Sequence, residues 1–88
     1  MELNEIRKEI NKLNQDLLTL FEKRMELCKA VAEYKKEHQM EIFVPKREKE
    51  IIDWVKSVAK DNLSAYDEEF FNTLMALSRE YQKTVIED

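Results

Sequence analysis

Residues 3–38, LNEIRKEINKLNQDLLTLFEKRMELCKAVAEYKKEH, decide the fold. Leu3, Ile6, Ile10, Leu13, Leu17, Leu20, Leu27, Val31 and Tyr34 recur at alternating spacings of three and four, which is one face of an α-helix sustained over five heptads. Glu9, Lys12, Glu22, Lys23, Glu26, Glu33 and Glu37 fall on the opposite side and form a solvated face. At 1.5 Å per residue the helix is roughly 50 Å long. A chain of 88 residues has too little mass to cover such a rod, so a second copy is expected to complete the core.

Beyond His38 the pattern breaks over Gln39–Val44. Pro45 disfavours a helical Val44 while its own fixed φ suits a first helical turn, so a second helix is expected over about 45–60, carried by Ile51, Ile52, Val55, Val58 and Ala59. Residues 61–64 read as a connection, with Ser64 or Asp67 able to cap a third helix over about 65–86. That helix is expected to bury Phe70, Phe71, Leu74, Leu77, Tyr81 and Val85. The fold class is therefore all-α: one long and two shorter helices in a single domain spanning residues 1–88, with oligomerisation expected.

Composition agrees. Apolar residues make up 43% and charged residues 39%, with no Gly and one Pro, a mix that belongs to helices. A net charge of −4, with fifteen basic residues scattered among nineteen acids, points away from nucleic acid and membrane surfaces. The lone Cys28 rules out an internal disulfide, and neither an apolar span nor a signal-peptide core is present, so a soluble cytoplasmic protein is expected. Neither metal-ligand spacing nor a glycine-rich phosphate loop can be found, and no cofactor is expected.

Polar residues on apolar faces carry the functional signal. Arg24 points within about 20° of Ile6, Leu13, Leu17 and Val31 on the helical wheel, at the centre of the stripe, and Lys35 follows on nearly the same line. Burying an unpaired cation costs several kcal/mol, so each needs an anionic or strongly polar partner, and no acid of this helix shares the face. Two accounts of Arg24 stand: ligand for a bound anion, or register residue paired with an acid such as Glu48. Lys35 could equally snorkel at the helix end. Glu48 lies one turn before Ile51 and Ile52, with Arg47 beside it, either as a dipole-favoured first-turn acid or as part of a site. Ser78 and Gln82, spaced i, i+4, interrupt the third apolar stripe. Together the inward faces supply cations, one acid, a hydroxyl and an amide in an apolar surround, as a small-molecule site does. His38, at the end of the first helix, reads as solvated, and Cys28, with no histidine near, reads as a packed thiol. No nucleophile with an adjacent base is evident, so the chemistry expected is electrostatic.

These residues bear a family resemblance. The run Ile6-Arg7-Lys8-Glu9-Ile10-Asn11-Lys12-Leu13-Asn14-Gln15-Asp16-Leu17-Leu18 resembles the I-R-x-x-I-x-x-L-D-x-x-L-L opening of the all-helical AroQ-class (type II) chorismate mutases. Arg24, then Lys35 eleven residues later, the Arg47-Glu48 pair and Ser78-x-x-x-Gln82 follow in the family's order across essentially the whole chain. The resemblance implies an intertwined homodimer that isomerises chorismate, a small dicarboxylate, to prephenate by a [3,3] pericyclic rearrangement in aromatic amino-acid biosynthesis. It implies that Arg24 and Arg47 bind the substrate carboxylates and that Arg7 reaches into the partner's site. Lys35 and Gln82 would donate to the ether oxygen, Glu48 would hold the ring hydroxyl, and Ser78 would lie nearby. Arg7 is seventeen residues from Arg24, roughly 25 Å along a straight helix, so a role in the same site requires a second subunit. Two positions depart from the pattern: Val44 stands where many relatives have aspartate, and Asn14 replaces the aspartate after Leu13. An isochorismate pyruvate lyase on the same scaffold and a non-enzymatic helical dimerisation module are the competing functions.

Overall fold

The computed structural model describes residues 1–87. Three helices make up the chain: α1 Leu3–Glu37, α2 Pro45–Val58 and α3 Ser64–Glu87. The all-α class read from periodicity is what the backbone adopts.

With neither Gly nor Pro inside it, α1 continues for 35 residues, and its length sets the 53 Å long axis of the molecule. It stops at a chain reversal. Gln39 takes φ 54°, the left-handed region that a β-carbon penalises by roughly 1–2 kcal/mol. That turn lets Met40 N–H donate to Lys35 O at 2.8 Å and Gln39 N–H to Lys36 O at 3.4 Å, satisfying carbonyls the helix end would orphan. Extended Val44 then precedes Pro45 at the first position of α2, and its side chain makes no capping bond.

The second helix ends at Val58, two residues short of the expected limit, because Ala59 turns extended (φ −68°, ψ 146°). Ser64 is the first residue of α3 rather than a residue ahead of it, and Asp67 occupies the opening turn.

Side-chain contacts fix the packing. Leu74 and Phe70 of α3 flank Leu17, Leu18 and Phe21 of α1, and farther along Ser78 meets Cys28, so α3 runs in the same sense as the second half of α1. On the other side of α3, α2 runs antiparallel: Glu48 meets Arg79, Trp54 stacks edge-on against Phe71 with centroids 5.8 Å apart, and Lys56 Nζ lies 3.6 Å from Glu68. α1 and α2 both pack on α3.

The result is a slab 14 Å thick, a single layer of helices with no second layer over it. Burial follows from that. Among the described residues only Ala32, Val55, Leu74 and Met75 form a buried apolar set. Residues 1–20 are exposed throughout, including Leu3 (59%) and Leu13 (60%). Two residues expected in the core, Phe70 and Leu77, are also open, because the face they occupy has no cover within this chain.

Candidate active site

The second half of α1, the start of α2 and the second half of α3 enclose a cleft of about 190 Å³ lined by Arg24, Lys35, Arg47, Glu48, Ser78 and Gln82, with Arg79 beside them and Val31, Ile42, Val44, Ile51 and Met75 as the apolar wall. Six of the seven polar residues singled out in the sequence thus share one cavity. Arg7 is apart, exposed near the free end of α1.

Each side chain is positioned by its element. Arg24 is half-buried at mid-helix and its guanidinium donates to Cys28 Sγ, 3.9 Å from Nη1, a weak acceptor that leaves its charge without a counter-ion among the described residues. Lys35 belongs to the last turn of α1, where its carbonyl caps the reversal and its Nζ donates to Ile42 O at 2.8 Å. The ammonium has three donors, so two remain for the cleft. Arg47 stands at the mouth, 69% exposed, with Nη1 3.8 Å from Glu50 Oε2. It does not pair with Glu48.

Glu48 instead accepts from Arg79 Nη1 through both carboxylate oxygens, across the α2–α3 interface. The guanidinium of Arg79 lies 5.1 Å from the centroid of the Phe43 ring, a cation–π contact. An Arg24–Glu48 register pair is therefore not formed within the chain. The sequence held a signal for Arg79 that its surroundings obscured: it lies four residues after Met75 and three before Gln82, on the flank of the same stripe.

Ser78 and Gln82 are buried, and with Cys28 they form a relay: Gln82 Nε2 donates to Ser78 Oγ and Ser78 Oγ donates to Cys28 Sγ, each at 2.9 Å. Gln82 Oε1 is left buried without a partner. Turning the amide by 180° keeps its shape and reverses the whole relay: Oε1 accepts the single Ser78 Oγ–H, the Cys28 thiol donates to Ser78 Oγ, and Nε2 becomes a free donor. His38 is exposed, its ring stacked on Tyr34 at 3.9 Å and its Nδ1 2.8 Å from Tyr34 O, outside the cleft.

Four cations against one carboxylate make this cleft strongly positive in a chain whose net charge is −4. Walls of low dielectric concentrate that field, and the ligand it selects is a compact anion with more than one negative group.

The sequence pattern of the type II chorismate mutases matches residues 6–83, nearly the whole chain and every residue of the cleft. The chain belongs to that family. It is 37% identical over 60 residues, 68% of its length, to a bifunctional chorismate mutase/prephenate dehydratase of Aquifex aeolicus, and 41% identical over 46 residues, 52% of its length, to the T-protein of Haemophilus influenzae. Those matches cover 17% and 12% of the two relatives, which are far longer than this chain. No solved structure matches significantly. No described helix of this type II chorismate mutase family member is long and apolar enough to cross a membrane.

Proposed function

We propose that the chain is a chorismate mutase that converts chorismate to prephenate as a soluble, cytoplasmic homodimer, without a cofactor. The observation that carries this reading is the convergence of Arg24, Lys35 and Arg47 with Glu48 and the Ser78–Gln82 pair on one small cleft of a family member.

The rearrangement is intramolecular. One carbon–oxygen bond of the ether breaks, one carbon–carbon bond forms, and no proton or covalent adduct is exchanged with the protein. Rate must come from holding a compact conformer and from stabilising the charge that grows on the ether oxygen. Arg24 and Arg47 bind the two carboxylates, which are charged in ground and transition states alike, and so serve binding and orientation. The free donors of Lys35 and the turned amide of Gln82 act on the ether oxygen, where interaction strengthens only as the bond breaks. Glu48 accepts from the ring hydroxyl, and Ser78 holds the amide.

The open side of the cleft and the bare half of α1 have one solution in common. A second copy laid across the exposed stripe of α1 and the apolar groove between Leu17, Phe21, Phe70 and Leu77 would bury both, and would bring Arg7 of the partner subunit to the mouth of the cleft. A symmetric pair of identical patches is the commonest way for such a surface to close.

The test is incubation of the purified protein with chorismate, followed optically, with prephenate identified as product. Chorismate left intact overturns the reading, and pyruvate released from isochorismate under the same conditions would replace it with the lyase.

A further inference from the structure

The mechanism above gives Arg79 no task, yet this side chain lines the cleft and binds the one carboxylate among the residues that line it. A carboxylate beside three cations tends to pair with them, and each such pair removes a group needed for an anionic substrate. In this cleft the pairing does not occur. Lys35 Nζ is turned to Ile42 O, Arg47 toward Glu50, and Arg24 toward Cys28, while both Glu48 oxygens face Arg79. Arg79 is itself held from two sides, by the carboxylate and by the Phe43 ring, and the two ionic side chains are only 31% and 24% exposed. A guanidinium whose Nη1 spans both oxygens, and whose plane is held over an aromatic ring, orients its carboxylate as well as neutralising it.

Val44 explains why a residue on α3 is needed. It lines the same cleft and begins the turn that carries Glu48, but it offers no polar atom beyond its backbone. The side chain that sets the direction of Glu48 has to come from across the α2–α3 interface, and Arg79 is adjacent to Ser78 and one turn before Gln82.

We propose that Arg79 is a positioning residue for the rearrangement: it aims Glu48 at the substrate's ring hydroxyl and keeps that carboxylate off Arg24, Lys35 and Arg47, so that these stay free for the substrate. The proposal rests on the assignment of chorismate mutase activity. Arg79 touches Glu48 and acts through it.

A double-mutant cycle tests this on the full-length dimer. Wild type, Arg79→Met, Glu48→Gln and the double variant are assayed for kcat and KM with chorismate, with Arg79→Lys as the conservative variant and Arg79→Gln in reserve should Arg79→Met fail to fold. Small displacements of a reacting group cost up to about 100-fold in rate, so Arg79→Met is expected to lower kcat/KM by about 10- to 100-fold, with a raised KM as Glu48 turns onto the substrate cations. Once Glu48 is neutral, loss of Arg79 has nothing further to misdirect, and the double variant should match Glu48→Gln within about twofold. Arg79→Lys, which keeps the charge but lacks the planar guanidinium held by the Phe43 ring, should recover part of the loss. Two results overturn the proposal while leaving the activity in place: losses that multiply in the double variant, which would mean that Arg79 contacts substrate directly, or an Arg79→Met enzyme within about twofold of wild type. A wild-type protein that does not consume chorismate overturns both the activity and the role of Arg79.

Discussion

Gln82 and Ser78 stand one turn apart on α3, joined by a 2.9 Å hydrogen bond from Nε2 to Oγ, and Ser78 is tied in turn to Cys28 on α1. The amide is therefore held by the chain's own groups before substrate arrives, with one buried oxygen unpaired. With the amide turned so that Oε1 takes the Ser78 bond, Nε2 is a donor prepared in advance, which costs no reorganisation when charge develops. Gln82→Ala should lower kcat by on the order of 10²–10³-fold, and Ser78→Ala, which loosens the amide without removing it, by less. Gln82 does not titrate, so wild-type activity should vary little between mildly acidic and neutral pH. Gln82→Glu should change that profile. A carboxyl donates only when protonated, and the ordinary glutamate value is about 4.3, so this variant should be weak at pH 7 and recover as pH falls. A flat profile for Gln82→Glu would show that the side chain is not a donor.

Under the proposed function Lys35 serves structure and turnover at once, since its amine bonds Ile42 O and keeps two further donors. Lys35→Met should lose about 2.7–4 kcal/mol of barrier stabilisation, seen mainly in kcat. It should also lose about 0.5–1.5 kcal/mol of stability through the missing bond to the reversal. Steady-state kinetics and thermal unfolding measure the two effects separately. A KM effect with kcat unchanged would place Lys35 among the carboxylate ligands instead.

Among the described residues Arg24 has no ionic partner, only the sulfur of Cys28 at 3.9 Å. Arg24→Leu should therefore abolish activity while the protein stays folded and gains stability, since an uncompensated, half-buried cation is removed. Thermal melting and dimer mass check this. Collapse of the oligomer would assign Arg24 to assembly.

Arg7 is far from the cleft of its own chain, and a shared site makes a distinctive demand. Arg7→Ala and Arg24→Leu subunits should each be nearly inactive alone. Refolded together in equal amounts, half the dimers are mixed and each mixed dimer holds one intact site, so activity should return to about a quarter of wild type. No recovery on mixing would show that the partner's Arg7 takes no part.

Local pattern made much of this legible. The unbroken periodicity of residues 3–38 specifies α1, and Pro45 locates the start of α2, because both follow from backbone sterics within a few residues. The cleft residues stood out as polar side chains on apolar faces. The pairing of Glu48 with Arg79 was not legible, since it is made between residues 31 apart whose contact exists only once α2 folds back on α3. The exposure of Phe70 and Leu77 was not legible for a related reason: an apolar stripe shows that a face needs covering, and is silent on which chain covers it. Asp67 and Ser64 were both suitable caps by type, and only the backbone distinguishes a residue that opens a helix from one that precedes it.

If, as proposed, a second copy covers the exposed first half of α1, protein concentration becomes a chemical variable. A face that is completed by a second molecule is completed by mass action, so unfolding should shift to higher temperature as the protein is concentrated. On that proposal dilution should act as an inhibitor that occupies no site: it would bare Leu3, Ile6, Ile10 and Leu13 and withdraw the Arg7 that a neighbour supplies.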